Sequence, residues 1–241
     1  MRIALLSFEY PPETGFGGIG TYTWNQARAL TKLGHEVHVL AGSMTPTQGL
    51  QSKEDHGVRV WRFRSDAFPV GALLRRLEHH ELWWTRNRVQ NAASMYRGFA
   101  KLKRLHAFDL VEMPECGAEG LLINHLTRAT TVVRFHGPAR LVMGDYDVSR
   151  ADHVLCSWAE RIGISGAGHF SAPSRFLAEA VRDQMGVRRP VQLIPNGIDL
   201  GWADAGPQID IRRAYDLPRD RPIIVFAGRM ERRKGIHLMP E

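Results

Sequence analysis

The chain has 241 residues, 44% hydrophobic and 24% charged, an ordinary globular balance that excludes a disordered or fibrous protein. That length allows one complete domain and part of a second, burying roughly 70% of the surface the unfolded chain exposes. The net charge of +7 points to contact with phosphate in some form, and no apolar run approaches the ~18 residues of a membrane span.

Strand and helix patterns alternate from the start, which predicts βαβ units and a mostly parallel sheet. Arg2 to Phe8 reads as the first strand. A loop over Glu9 to Gly18 leads into a helix from about Ile19 to Leu33, with Ala27, Leu30 and Leu33 on one face and Gly34 stopping it. Val37 to Ala41 is a second strand and Val58 to Phe63 an alternating third, near an edge. From Leu73 to Leu105 a helical segment carries Val89, Ala92, Tyr96, Phe99 and Leu102 on one stripe, and Arg86, Arg97, Lys101 and Arg104 on another. The basic stripe, with Trp83 and Trp84 as interfacial anchors, predicts either peripheral contact with an anionic membrane or a solvated helix face. Later strands are expected at Asp109 to Met113, Thr131 to Phe135, His169 to Ala172 and Gln192 to Pro195, and a helix from the N-cap Ser174 to Met185 closed by Gly186.

These patterns divide the chain into a Rossmann-like domain over 1–195, a linker with a short helix over 196–221, and a final segment over 222–241. In that last segment the apolar run Ile223 to Ala227 reads as the first strand of a second domain that then stops. Cys116 and Cys156 lie in no metal-ligand spacing and are expected to be reduced and structural. Without a signal-peptide cleavage site after Met1-Arg-Ile-Ala-Leu-Leu, the expected location is the cytoplasm, with the inner face of the membrane as the extension offered by the basic stripe.

Gly15, Gly17 and Gly20 match G-x-G-x-x-G between a strand and a helix. Two features of the dinucleotide fold are missing. Six residues, Glu9 to Thr14, separate the strand from the glycines, and the second strand ends Leu40-Ala-Gly-Ser43 without the carboxylate that grips a ribose. What remains is the shared physics of backbone N–H groups and a helix N-terminus facing an anion. An NAD-dependent oxidoreductase therefore stays open as an alternative, as does a basic nucleic-acid-binding module, although no recognition motif supports nucleic acid as a partner.

Four strings in order, Tyr10-Pro-Pro-Glu-Thr-Gly-Phe-Gly-Gly18, Ala29-Leu-Thr-Lys-Leu-Gly-His-Glu-Val-His-Val39, Ile194-Pro-Asn-Gly-Ile-Asp199 and Gly228-Arg-Met-Glu-Arg-Arg-Lys-Gly235, resemble glycosyltransferase family 4. The resemblance implies the N-terminal, acceptor-side half of a retaining GT-B enzyme and the opening of its donor-binding half. It implies transfer of a sugar from a nucleotide-diphosphate donor to a glycan or lipid-linked acceptor, as in envelope polysaccharide assembly. No cofactor or metal is implied. Gly17 and Gly18 would lie near the donor diphosphate, Arg229 and Lys234 would hold it as charge develops on leaving, and His136 would hydrogen-bond the transferred sugar. Because the family's Glu-x7-Glu element and most of the nucleotide pocket would lie past Glu241, the 241-residue chain is expected to be nearly silent by itself.

Two further groups of carboxylates stand out, one beside a predicted strand end and one in a Gly/Ser loop. Glu112 and Glu115, in Val111-Glu-Met-Pro-Glu-Cys-Gly-Ala-Glu119, are candidates for holding acceptor hydroxyls, with a solvated loop as the competing reading. Asp145-Tyr-Asp147 has the form of a metal-binding D-x-D, but no other oxygen ligands cluster with it in the sequence, and no metal is expected there.

Overall fold

The structure is a computed structural model describing residues 1–15, 17–45, 50–64, 82–201 and 209–239. Residues 73–81 of the expected helical segment, and Phe16 within the glycine loop, lie outside the described residues. The chain divides into two compact units, Met1–Gly197 and Ile198–Glu241.

The first unit is built on an eight-stranded sheet. Its strands are β1 (Arg2–Leu6), β2 (Glu36–Ser43), β3 (Gln51–Asp55), β4 (Val58–Arg64), β5 (Leu110–Pro114), β6 (Thr131–Arg134), β7 (His169–Ala172) and β8 (Val191–Leu193), in the order β3-β4-β2-β1-β5-β6-β7-β8. Every pairing is parallel except that of β3 with β4. The order matters for function. The chain runs outward from β1 on one side, then returns to place β5 on the other, so loops leaving β1 and β5 part and open a crevice at the strand carboxyl ends.

Alternation in β1 explains why the sheet is covered on both faces. Ala4 and Leu6 join a core with Phe99 and Leu102, while Ile3 and Leu5 join another with Ala27 and Val39. Helix α1 (Gly18–Lys32) covers the second face, and α2 (Trp83–Leu105) belongs to the first, packed against α5 (Arg150–Ser165). Short helices α3 (Gly120–Leu126) and α4 (Ala139–Val142) lie between, and α6 (Arg175–Met185) starts with Ser174 Oγ accepting from Leu177 N–H at 3.2 Å. Gly186, at φ 69°, closes α6 in the left-handed conformation.

Some elements depart from expectation. The first strand stops at Leu6, two residues early, because Ser7 and Phe8 already serve the turn. Leu33, assigned to the core face of α1, is 73% exposed, since it is the C-cap residue where the helix turns away. Strand β3 is an addition: Gln51-Ser-Lys-Glu-Asp carries no apolar alternation and takes the sheet edge outside β4. It is held by a two-residue turn at His56 and Gly57, whose φ values of 51° and 81° suit a tight hairpin.

In the second unit, α7 (Ile211–Ala214) supplies the short helix, with Asp210 capping it through Arg213 N–H. Ile223 to Ala227 forms no strand, and Ile224 and Val225 are about 70% exposed. A parallel strand needs adjoining backbone to satisfy its N–H and C=O groups, and no described residue of this unit is a strand.

Candidate active site at the carboxyl ends of β1, β5 and β6

The loop after β1 is braced rather than loose. Ser7 Oγ donates to Glu9 C=O at 2.9 Å and Thr14 Oγ1 to Phe8 C=O at 2.8 Å. Arg62, arriving from β4, donates to Thr14 Oγ1 at 2.9 Å, Gly42 C=O at 2.8 Å and Tyr10 C=O at 2.8 Å. Glu13 reaches the end of β2, where its carboxylate accepts from Met44 N–H at 2.8 Å and from Ser43 Oγ. A carboxylate thus does stand at the end of β2, brought by the loop rather than the strand, and it is engaged by the protein's own groups.

Gly17 is the N-cap of α1, in extended backbone, and its helix begins at Gly18. Glu9, outside the glycine motif, supplies the missing cap: its Oε2 accepts from Gly20 N–H at 3.0 Å. A Cβ on Gly18 would meet nothing within 4 Å, whereas one on Gly20 would stand 2.9 Å from Gly15 Cα. The helix start is therefore open on the side of Gly18 and close-packed on the side of Gly20.

One turn into α1, Tyr22 gathers the strand ends. Its hydroxyl donates to Glu112 Oε1 at 2.7 Å, and its ring meets His136 edge-on with centroids 4.9 Å apart. The Arg134 guanidinium lies 4.8 Å from the same ring. Arg134 itself is buried; its Nη2 donates to Ile194 C=O at 2.6 Å and Asn196 Oδ1 at 2.7 Å, while Nε and Nη1 have no partner among the described residues. Burial, with the Arg134 charge beside it, pushes the His136 pKa down to about 3. The imidazole is neutral near pH 7, able to share hydrogen bonds but a weak base. Burial also raises the Glu112 carboxyl, opposed by the Tyr22 hydrogen bond and the Arg134 charge.

The structure brings His136 and Glu112 together and gives Glu115 a different place. Glu115 is 2% exposed, and both of its oxygens accept backbone N–H groups of His136 and Gly137. It is a support of the His136 turn and offers nothing to an acceptor hydroxyl. Glu119 and Glu160 are buried nearby; Glu160 pairs with Arg88 at 3.0 Å and accepts from Ala139 N–H at 2.7 Å. Burial raises Glu115 to about 7 and Glu119 to about 8.

Arg229 and Lys234 belong to the second unit. They share one turn, in which Arg229 Nη1 pairs with Glu231 Oε1 at 2.9 Å and Lys234 N–H donates to Glu231 C=O at 2.9 Å. Asp145 and Asp147 are exposed. Among the described residues, a different group, Glu36, His38 and His106, has ligand atoms close enough to share a cation. Its chemistry argues otherwise. Trp61 Nε1–H, a donor only, points at His38 Nδ1 at 3.1 Å, so Nδ1 accepts and Nε2–H donates to Glu36 at 2.9 Å. With both nitrogens engaged, and Glu36 also paired with Arg2 at 2.8 Å, the group reads as a hydrogen-bonded network. Cys116 and Cys156 are free thiols.

Residues 16–202 match Glycosyltransferase Family 4. The chain is 26% identical over 252 residues to an uncharacterized glycosyltransferase of Methanocaldococcus jannaschii, covering 99% of this chain and 58% of that protein. It is 25% identical over 253 residues to the alpha-maltose-1-phosphate synthase of Mycolicibacterium smegmatis, covering 99% of this chain and 56% of that one. The chain thus spans little more than half the length of these relatives. Among solved structures, the sucrose-phosphate synthase of Thermosynechococcus elongatus superposes with a TM-score of 0.72 at 19% identity, over 98% of this chain and 57% of that one. Phytolacca americana UGT2, complexed with UDP-2-fluoro-glucose and pterostilbene, does so with a TM-score of 0.53 at 11% identity, over 86% of this chain and 57% of that one. A profile match over most of the first unit, on an α/β fold shared with GT-B enzymes, shows that the chain belongs to Glycosyltransferase Family 4.

Proposed function

We propose that this chain forms the acceptor-side half of a retaining glycosyltransferase, which moves a sugar from a nucleotide-diphosphate donor to a hydroxyl acceptor without a metal ion. The observation that carries the reading is the neutral His136 at the crevice, set against Tyr22 of the helix whose glycine start is open. A neutral imidazole suits hydrogen bonding to a sugar hydroxyl, and it leaves the positive charge developing on the sugar ring unopposed by an imidazolium. With so low a pKa His136 does not serve as the base. In our reading the leaving phosphate oxygen takes the acceptor proton on the same face, which retains the anomeric configuration.

The N–H groups at the start of α1 would receive phosphate of the donor. In the second unit, Arg229 and Lys234 are the cations proposed to hold a diphosphate, Arg229 exchanging Glu231 for phosphate. The UDP-sugar held by a fold neighbour supports a nucleotide-sugar donor in this reading. For the acceptor, a glycan or lipid-linked sugar fits the exposed Arg97, Lys101 and Arg104 of α2, with Arg86 half-buried on the same helix and Trp83 and Trp84 exposed at its start. These would rest on an anionic membrane at the cytoplasmic face.

The test is proton NMR of the product formed by the full-length protein in the presence of a chelator. Retention of the donor's anomeric configuration, at a rate unchanged by EDTA, is expected. An inverted product, or a rate restored only by a divalent cation, contradicts the proposal.

A further inference from the structure

We propose that Glu115 is a positioning residue for His136, its buried carboxylate standing in for the backbone carbonyl that the sheet no longer supplies there. This inference rests on the function proposed above. The β5–β6 ladder ends at the pair Pro114 and Arg134, and the β6–β7 ladder at Arg134 and Ser171. Phe135 still donates to Ser171 C=O at 2.8 Å, but beyond it no strand runs alongside. The chain after β5 turns away through Gly117 and Ala118, at φ 88° and 57°. The part-buried N–H groups of His136 and Gly137 would be left without a strand acceptor.

Glu115 meets this need with its side chain. Oε1 accepts from Gly137 N–H at 2.7 Å and from His136 N–H at 3.0 Å, and Oε2 accepts from His136 N–H at 3.0 Å. Pro138 has no N–H, and the next one, on Ala139, donates to Glu160 Oε2 at 2.7 Å. Every backbone N–H from His136 to Ala139 is thus held by one of two buried carboxylates. Glu160 is in turn fixed by Arg88, and Cys116 and Glu119 border the same group. This arrangement sets the backbone from which the His136 imidazole reaches Tyr22. Displacing that backbone by about 1 Å would misplace the ring for the sugar, a change worth on the order of a hundredfold in rate.

The test is a double-mutant cycle in the full-length protein, with donor KM, kcat and melting temperature measured for E115Q, H136A and the double variant. Glutamine keeps one acceptor oxygen but turns an N–H2 donor toward the His136 N–H. We expect E115Q to lower kcat about tenfold or more with donor KM within about twofold, and to cost less than about twofold once His136 is alanine. An equal loss in both backgrounds, or none in either, overturns the positioning role. Full activity in H136A overturns instead the functional reading on which it rests. Should E115Q fail to fold, amide hydrogen exchange of the unaltered chain decides. Protection of His136 and Gly137 matching that of Val133 supports the clamp, and exchange at loop rates overturns it.

Discussion

His136, Glu115 and Glu119 titrate far from their ordinary ranges for one reason, burial at the strand ends, and their signs oppose. With its pKa down near 3, folded His136 binds fewer protons than the unfolded chain between about 3 and 6.5, so its contribution to stability rises with pH across that window. Glu115 and Glu119, raised to about 7 and about 8, hold protons in the folded state that the unfolded chain has released, so their contributions fall as pH rises from about 4.5 through those values. Two carboxyls outweigh one imidazole where the windows overlap. Urea unfolding should show stability falling from about pH 5 to about pH 8, by up to ~1.4 kcal/mol per unit for each group. E119Q should flatten that fall and H136A should steepen it; unchanged slopes in both would contradict the burial of these groups. Of the crevice residues the sequence made His136 and Glu112 visible, because both lie at or near the carboxyl ends of β-rich runs, where α/β sheets place ligands. Tyr22, Arg134 and Glu9 were not visible, since each acts through partners that only the fold brings near: Tyr22 and Glu112 are 90 positions apart. Glu115 was visible as a member of the site loop, but its use of backbone N–H groups depends on where neighbouring strands end.

Apolar alternation carries the elements that have a buried face and is silent on those that do not. Strands β1, β2 and β4 were legible because their buried residues are mostly aliphatic or aromatic, while β3, polar along its whole length, reads as loop. The glycine loop shows the limit of motif reading at this scale. Its three matched glycines, Gly15, Gly17 and Gly20, are all close-packed, and the open one, Gly18, is a position that the motif leaves unspecified. Replacing Gly20 by Ala would place a Cβ 2.9 Å from Gly15 Cα and 3.2 Å from Glu9 Cβ, forcing the loop off the helix and costing about 1–3 kcal/mol in denaturant unfolding. The Cβ of Gly18→Ala meets no described atom within 4 Å, so stability should stay within about 0.5 kcal/mol while affinity for a nucleoside diphosphate drops. A G18A protein that binds as tightly as the parent would remove the α1 start from the donor site.

At the scale of the whole molecule, a strand order that reverses between β1 and β5 opens a crevice at the strand ends where Tyr22, Glu112 and His136 meet. The parallel sheet was legible from alternating strand and helix patterns, but its order was not, because pairing of distant strands leaves no local trace. The run Ile223 to Ala227 has the composition of a buried strand, yet Ile224 and Val225 stand exposed and no described residue of this unit forms a strand beside it. The donor site is thus the claim on which the account turns, and thermal unfolding of the full-length protein with UDP, GDP, ADP and NAD, each in excess, addresses it most directly. A ligand at a hundredfold its dissociation constant adds about 2.7 kcal/mol of stability, enough to move the midpoint by several degrees. Stabilisation by one nucleoside diphosphate and none by NAD is expected; stabilisation by NAD, or by no nucleotide at all, would contradict a donor site in this protein.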